Sequence, residues 1–167
     1  MEADAAEMKS ESESALFFGA IVTGVLALLP YVNVFIFPAY VIGAVVAVRS
    51  AARSGRPLDL KEGAKLGFLS TLFGSMVAVL VADLIWVIFD YQLWQHQNAQ
   101  LMLAIVGHFA GPVTIDTMSS ALAAQAVKPF QWPLLIAQIF GNLFLCGLFG
   151  TLTGLIAAKV CRPKTIR

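Results

Sequence analysis

The stretch VLVADLIWVIFD, residues 79–90, sets two carboxylates, Asp83 and Asp90, among Val, Leu, Ile and Trp. An acid in such surroundings is costly to ionise, so its distinctive chemistry would be the binding of a proton or a small cation. Seven residues separate the pair, which puts both on one face of a helix. That face is expected to look into a helix bundle or a wet cavity. Asn33, Gln138 and Asn142 are the polar side chains of the other apolar runs able to hydrogen-bond a neutral acid. With them as partners, Asp83 would fix packing instead of holding an ion. Both readings stay open at this point.

Other chemistries have less support. His96 and His108, with Asp90 and Asp116, match no metal-ligand spacing and read as interfacial side chains, so no metal site is expected. The serines lie in a polar tail, a basic loop and small-residue stripes, with no motif that joins a nucleophile to a base. GRPLDLKEGAK lacks the spacing of a phosphate-binding loop. No basic patch interleaved with aromatics points to nucleic acid. Cys146 and Cys161 would stand roughly 22 Å apart along one helix and cannot pair, which leaves one as apolar filler and the other as a free interfacial thiol. The expectation is a non-enzymatic chain without cofactor.

The elements that position Asp83 follow from composition. Of the 167 residues, 59% are hydrophobic and 13% charged, with a formal net charge of +1. Mean hydropathy is +0.80. Residues 15–48, 66–82 and 133–158 are nearly free of charge, and about 20 such residues cross a ~30 Å hydrocarbon core. The first run is too long for one helix, and Pro30, Asn33 and Pro38 divide it. The sequence therefore predicts an all-α integral membrane bundle. Its four spans lie near 15–29, 35–49, 66–89 and 133–158, the first two forming either a crossing pair or a re-entrant hairpin.

The acidic segment 1–14 reads as a disordered tail and 161–167 as a basic one. Residues 91–131 carry few charges. Leu101, Ile105, His108 and Phe109, then Ile115, Met118 and Leu122, recur at helical spacing and predict two short interfacial helices outside the membrane. Trp86, Tyr91, Trp94 and Trp132 gather at that boundary as an aromatic belt would. Arg49, Arg53, Arg56, Lys61 and Lys65 form one basic cluster; Lys159, Arg162, Lys164 and Arg167 form another. The positive-inside rule places both, and both termini, in the cytoplasm. Asp59 is a candidate cap for a helix starting at Leu60.

Small residues supply the packing. Gly63 and Gly67 are four apart, Ser70 and Gly74 continue at the same spacing, and the last run carries Ala137 with Gly141 and Gly150 with Gly154. Without a hydrophobic drive between helices in lipid, such stripes let backbones approach closely. The facing helices could belong to this chain or to a second copy.

VIGAVVAVRS followed by SGRPLDLKEGAKLGFLSTLFG, a polar amphipathic stretch and a glycine-rich last span resembles small bacterial multi-pass membrane proteins without an assigned activity. The resemblance covers most of the chain and implies no catalytic or ligand residues. The expected role is a scaffold, accessory or assembly protein of the bacterial inner membrane, with lipid and other membrane subunits or its own copies as partners. The alternative is a homo-oligomeric channel or transporter of protons or small ions that uses Asp83.

Overall fold

A computed structural model of the protein describes residues 2–29, 32, 37–53, 58–109, 116–122 and 129–161, and among them every regular element is helical. Helix α1 spans Glu2–Leu28, α2 Phe37–Arg53, α3 Leu60–Phe89 and α4 Leu93–Val106. Helix α5 runs from Trp132 to Cys161 and contains one π-helical turn, Cys146–Gly150. A short helical segment occupies 116–122.

Local chemistry sets the ends. Asp59 opens α3 with a capping box: its carboxylate accepts the Leu60 amide at 2.7 Å, and Glu62 accepts the Asp59 amide at 3.3 Å. The other end closes on Asp90, whose backbone is left-handed with φ of 51°. Short acids tolerate that conformation, and the chain turns there into α4. Two boundaries differ from the sequence reading. Helix α1 begins at Glu2 instead of near Ala15, because EADAAEMK is rich in strong helix formers. Pro38 sits inside the first turn of α2, where the missing amide hydrogen costs nothing, so it starts that helix instead of breaking it.

Helices α3 and α5 are long and apolar enough to cross a membrane. The apolar part of α1, Ser12–Leu28, is shorter, and α2 has 17 residues, about 25 Å of rise. Two full-length candidate spans are therefore present where four were expected. Only 33% and 28% of their apolar windows are buried inside the chain. Leu80, Leu84, Ile88 and Phe89 of α3 and Phe140, Phe144, Ile156 and Val160 of α5 all face outward.

Packing runs on small residues at every fourth position. Along α1 stand Ala15, Gly19, Thr23 and Ala27; along α2, in the opposite direction, Ala51, Ala47, Gly43 and Ala39. All are buried. A Cβ on Gly19 would meet Ala47 and the Gly43 carbonyl, and one on Gly43 would strike Thr23. Ala15 shares a buried cluster with Ala51, and Ala27 shares another with Ala39. Helices α1 and α2 thus form a close antiparallel hairpin. Helix α3 packs on both, parallel to α1, with Gly74 against Ala20, Thr23 and Gly24.

The same device joins α3 to α5. Gly63 meets Gly154 and Ala158, Gly67 meets Gly150 and Gly154, Thr71 meets Gly150, and Ser75 meets Cys146. Each step of four along α3 is answered by a step of four backward along α5. The antiparallel order collects the C-termini of α2 and α5 and the N-terminus of α3 at one end of the bundle. Arg49, Arg53, Lys61, Lys65 and Lys159 therefore share that end. At the other end the α1–α2 hairpin stops early. Val32 and Trp94 both pack against the cluster of Ala27, Ala39 and Ala78, and α3 continues about three turns beyond Ala78.

Candidate functional site

Continued outward, the α3–α5 register brings Val79 opposite Asn142 and Asp83 opposite Gln138. Here the helices no longer touch closely, because Val79 and the groups beyond it are not small. Among the described residues of Trp132–Leu145, Asn142 is buried and the rest are half-buried or exposed. The chain leaving Asp90 carries Gln92 and Trp94 back into the gap.

A pocket of about 190 Å³ results, lined by Ala82, Asp83 and Trp86 of α3, by Gln92 to Gln95, and by Leu134 and Gln138 of α5. Three lining residues each carry a polar atom that is sealed from solvent and without a hydrogen-bond partner within the protein, Asp83 Oδ2, Gln92 Oε1 and Trp94 Nε1, and Gln97 Oε1 of α4 outside the pocket is in the same state. Asp83 is the sole charged group of the lining, which makes the pocket acidic. Trp86 forms its wall, buried against Phe130 at 4.9 Å between ring centroids, and Phe130 meets the edge of Trp132 at 5.2 Å.

The residues singled out in the sequence separate into groups. Asp83 and Gln138 share the pocket. Asp90 does not join them: it is exposed and terminates α3, because the left-handed turn swings it out of the helical face it would otherwise share with Asp83. Asn142 is engaged elsewhere, its Oδ1 accepting from the Tyr40 hydroxyl of α2 at 2.6 Å. Asn33 lies outside the described residues. Gly63, Gly67, Gly74, Gly150 and Gly154 all stand in helix contacts within the chain. Gly141 is different: it is exposed, and a Cβ added there would meet nothing within 4 Å.

Sequence reasoning overlooked a second polar group deep in the bundle. Tyr40 is fully buried, Ser75 Oγ lies 3.2 Å from Cys146 Sγ, and Thr71 donates to the Gly67 and Phe68 carbonyls at 2.9 Å. Cys146 opens the π turn. The extra residue of that turn lets Cys146 and Gly150 both face α3 while Asn142 still reaches Tyr40. The signal available beforehand was the fourfold spacing of Gly67, Thr71 and Ser75 against Cys146, Gly150 and Gly154. Gln92 and Trp94 had no such signal, since nothing in the sequence says that the start of α4 folds back over α3 and α5.

His96 and His108 are occupied locally, His96 Nε2 with Gln100 Nε2 at 3.0 Å and His108 Nδ1 with the Ala104 carbonyl at 3.0 Å. Among the described residues no three His, Cys, Asp or Glu side chains converge on one point. Comparison with family models, with curated proteins and with solved structures finds no match to this chain.

Proposed function

We propose that this chain is a non-enzymatic accessory or assembly protein embedded in the bacterial inner membrane, a helical scaffold that docks another membrane segment. The observation that carries this reading is the first half of α5. Its apolar side chains, including Leu134, Ile136, Phe140 and Phe144, are exposed, and the small pair Ala137 and Gly141 faces open space. Every other small-residue stripe named above is used inside the chain. A stripe left open in lipid is a seat for a further helix, of a partner subunit or a second copy.

In this reading α3 and α5 cross the bilayer in full. Helices α1 and α2 enter and return as a short hairpin beneath α4, completing the four membrane segments with both termini cytoplasmic. The shared end of the basic side chains supports that orientation, and the packing of Val32 and Trp94 on one cluster with Ala27, Ala39 and Ala78 supports the short hairpin. Gly141→Leu should leave the monomer folded and abolish co-purification of the partner, or self-association, in mild detergent. A Gly141→Leu chain that keeps its wild-type assembly would end the scaffold reading.

A second reading, a proton or small-cation pathway in a homo-oligomer, draws on the unpartnered Asp83 carboxylate in its pocket. It requires Asp83→Asn to abolish ion flux in reconstituted vesicles while the same protein still inserts.

A further inference from the structure

We infer that the groove between α1 and α3 holds an acyl chain of a phosphatidylethanolamine molecule, whose phosphate and ammonium meet Lys65 and Glu13 at its mouth. This rests on the membrane residence of the scaffold reading and shares no residue with the α5 face that carries it. The groove has a volume of about 560 Å³, and every residue lining it is glycine or apolar. Gly24 and Gly74 form its floor: a Cβ on Gly24 would come within 3.0 Å of the Gly74 carbonyl, so the two backbones nearly touch. Phe17, Ile21 and Val25 rise from α1 as one wall and Phe73 and Val77 from α3 as the other, all of them exposed.

From Leu16 to Leu28 the groove follows α1 for about 18 Å, close to the ~15 Å of hydrocarbon in one leaflet. A further helix is a poor fit. Helices in lipid seat on small residues, and here the glycines are taken up by the α1–α3 contact while the rims carry large side chains. A flexible run of methylenes lies between such rims without moving them.

The charges at the mouth select the headgroup. Leu66 shares a buried cluster with Ala15, Ser70 and Gly74 stand against Gly19 and Gly24, and Ala78 shares a cluster with Ala27, so these four are the row that α3 turns toward α1. The row beside it, Phe73, Val77 and before them Leu69, leads back to Lys65, exposed and about 12 Å from Phe73 along the helix. On the facing wall the row of Phe17, Ile21 and Val25 leads back to Glu13, also exposed. A cation on one wall and an anion on the other match a zwitterion, phosphate toward Lys65 and ammonium toward Glu13. A purely anionic headgroup would be repelled by Glu13.

The test is native mass spectrometry of the full chain in mild detergent, supplied with phosphatidylethanolamine or phosphatidylglycerol of the same acyl chains, with thermal unfolding alongside. A single retained phosphatidylethanolamine and a raised melting temperature are expected, phosphatidylglycerol binding about tenfold more weakly. Lys65→Gln should weaken phosphatidylethanolamine by a similar factor, and Glu13→Gln should remove the preference between the lipids. Exchanging the charges, Glu13→Lys with Lys65→Glu, should restore it, which a general attraction of lysine for lipid would not. Val25→Trp should fill the groove and expel the lipid without changing the elution volume. Gly141→Leu should bind lipid like wild type, which keeps loss of lipid and loss of assembly apart. Three outcomes overturn the proposal: no retained lipid, equal retention of both lipids by wild type and Lys65→Gln, or an oxidative cross-link between copies through Phe73→Cys, which would put a second copy in the groove.

Discussion

Tyr40 and Asn142 lie 102 residues apart and share one buried hydrogen bond, which ties α2 to the outward half of α5. Removing only the donor leaves a desolvated amide oxygen, a loss of about 1–3 kcal/mol. Tyr40→Phe should therefore lower stability by about that amount in detergent unfolding. Tyr40→Phe with Asn142→Leu should recover most of it, since replacing both partners by apolar groups leaves no orphan. Asp83 behaves in the opposite way. Its Oδ2 has no partner to lose, so Asp83→Asn should leave the unfolding midpoint unchanged or raised, while any function of the pocket is lost. The Asp83–Gln138 juxtaposition was foreseeable, because both residues continue the fourfold register that begins at Gly63 and Ala158. The diversion of Asn142 to Tyr40 was not foreseeable, because hydrogen-bonding capacity alone does not choose among partners on different helices.

Helix contacts in this chain are backbone contacts, and that makes them intolerant of added volume at particular places. A Cβ at Gly67 would collide with the Gly150 carbonyl, which cannot rotate away as a side chain would. Gly67→Leu should separate α3 from α5 and abolish recovery of folded protein, whereas Gly141→Leu should unfold at the wild-type midpoint; the pair is read by size-exclusion chromatography and thermal unfolding. The π turn is a further device at this scale. Deleting Gly147, whose own surroundings are open, should restore plain helix and rotate the first half of α5 by about 100°. In that background Tyr40→Phe should no longer cost stability, because Asn142 has left its partner. The spacing of Gly63, Gly67, Gly150 and Gly154 was legible beforehand. The equal stripe of Ala15, Gly19, Thr23 and Ala27 passed unnoticed because alanine serves helix formation anywhere, and its packing role shows only against Ala39, Gly43, Ala47 and Ala51.

Taken as one body, the bundle is polarised. One end is close-packed and carries the described basic side chains; the other is splayed and holds the pocket, with Trp94 of α4 packed on the end of the hairpin. The proposed scaffold reading sets the close-packed end on the cytoplasmic side of a bilayer. Reporter tags placed at residues 57 and 167 should then answer from the same compartment, and Asn33→Cys should resist a membrane-impermeant thiol reagent from both sides if the hairpin stops beneath α4. Labelling of that cysteine from outside would instead mean that α1 and α2 cross fully.

The apolar runs, their helical state and the basic residues that flank them were decided by the sequence itself. Long stretches without charge and a proline-broken first run favour helices, which satisfy their own backbone hydrogen bonds wherever they are buried. The early stop of the hairpin and the outward turn of Asp90 were decided by tertiary structure. So was the pocket. It exists because the α3–α5 ladder ends where its small residues end, and because Gln92 and Trp94 return across the gap. Both are facts about which surfaces meet, and a pattern along one chain does not contain them.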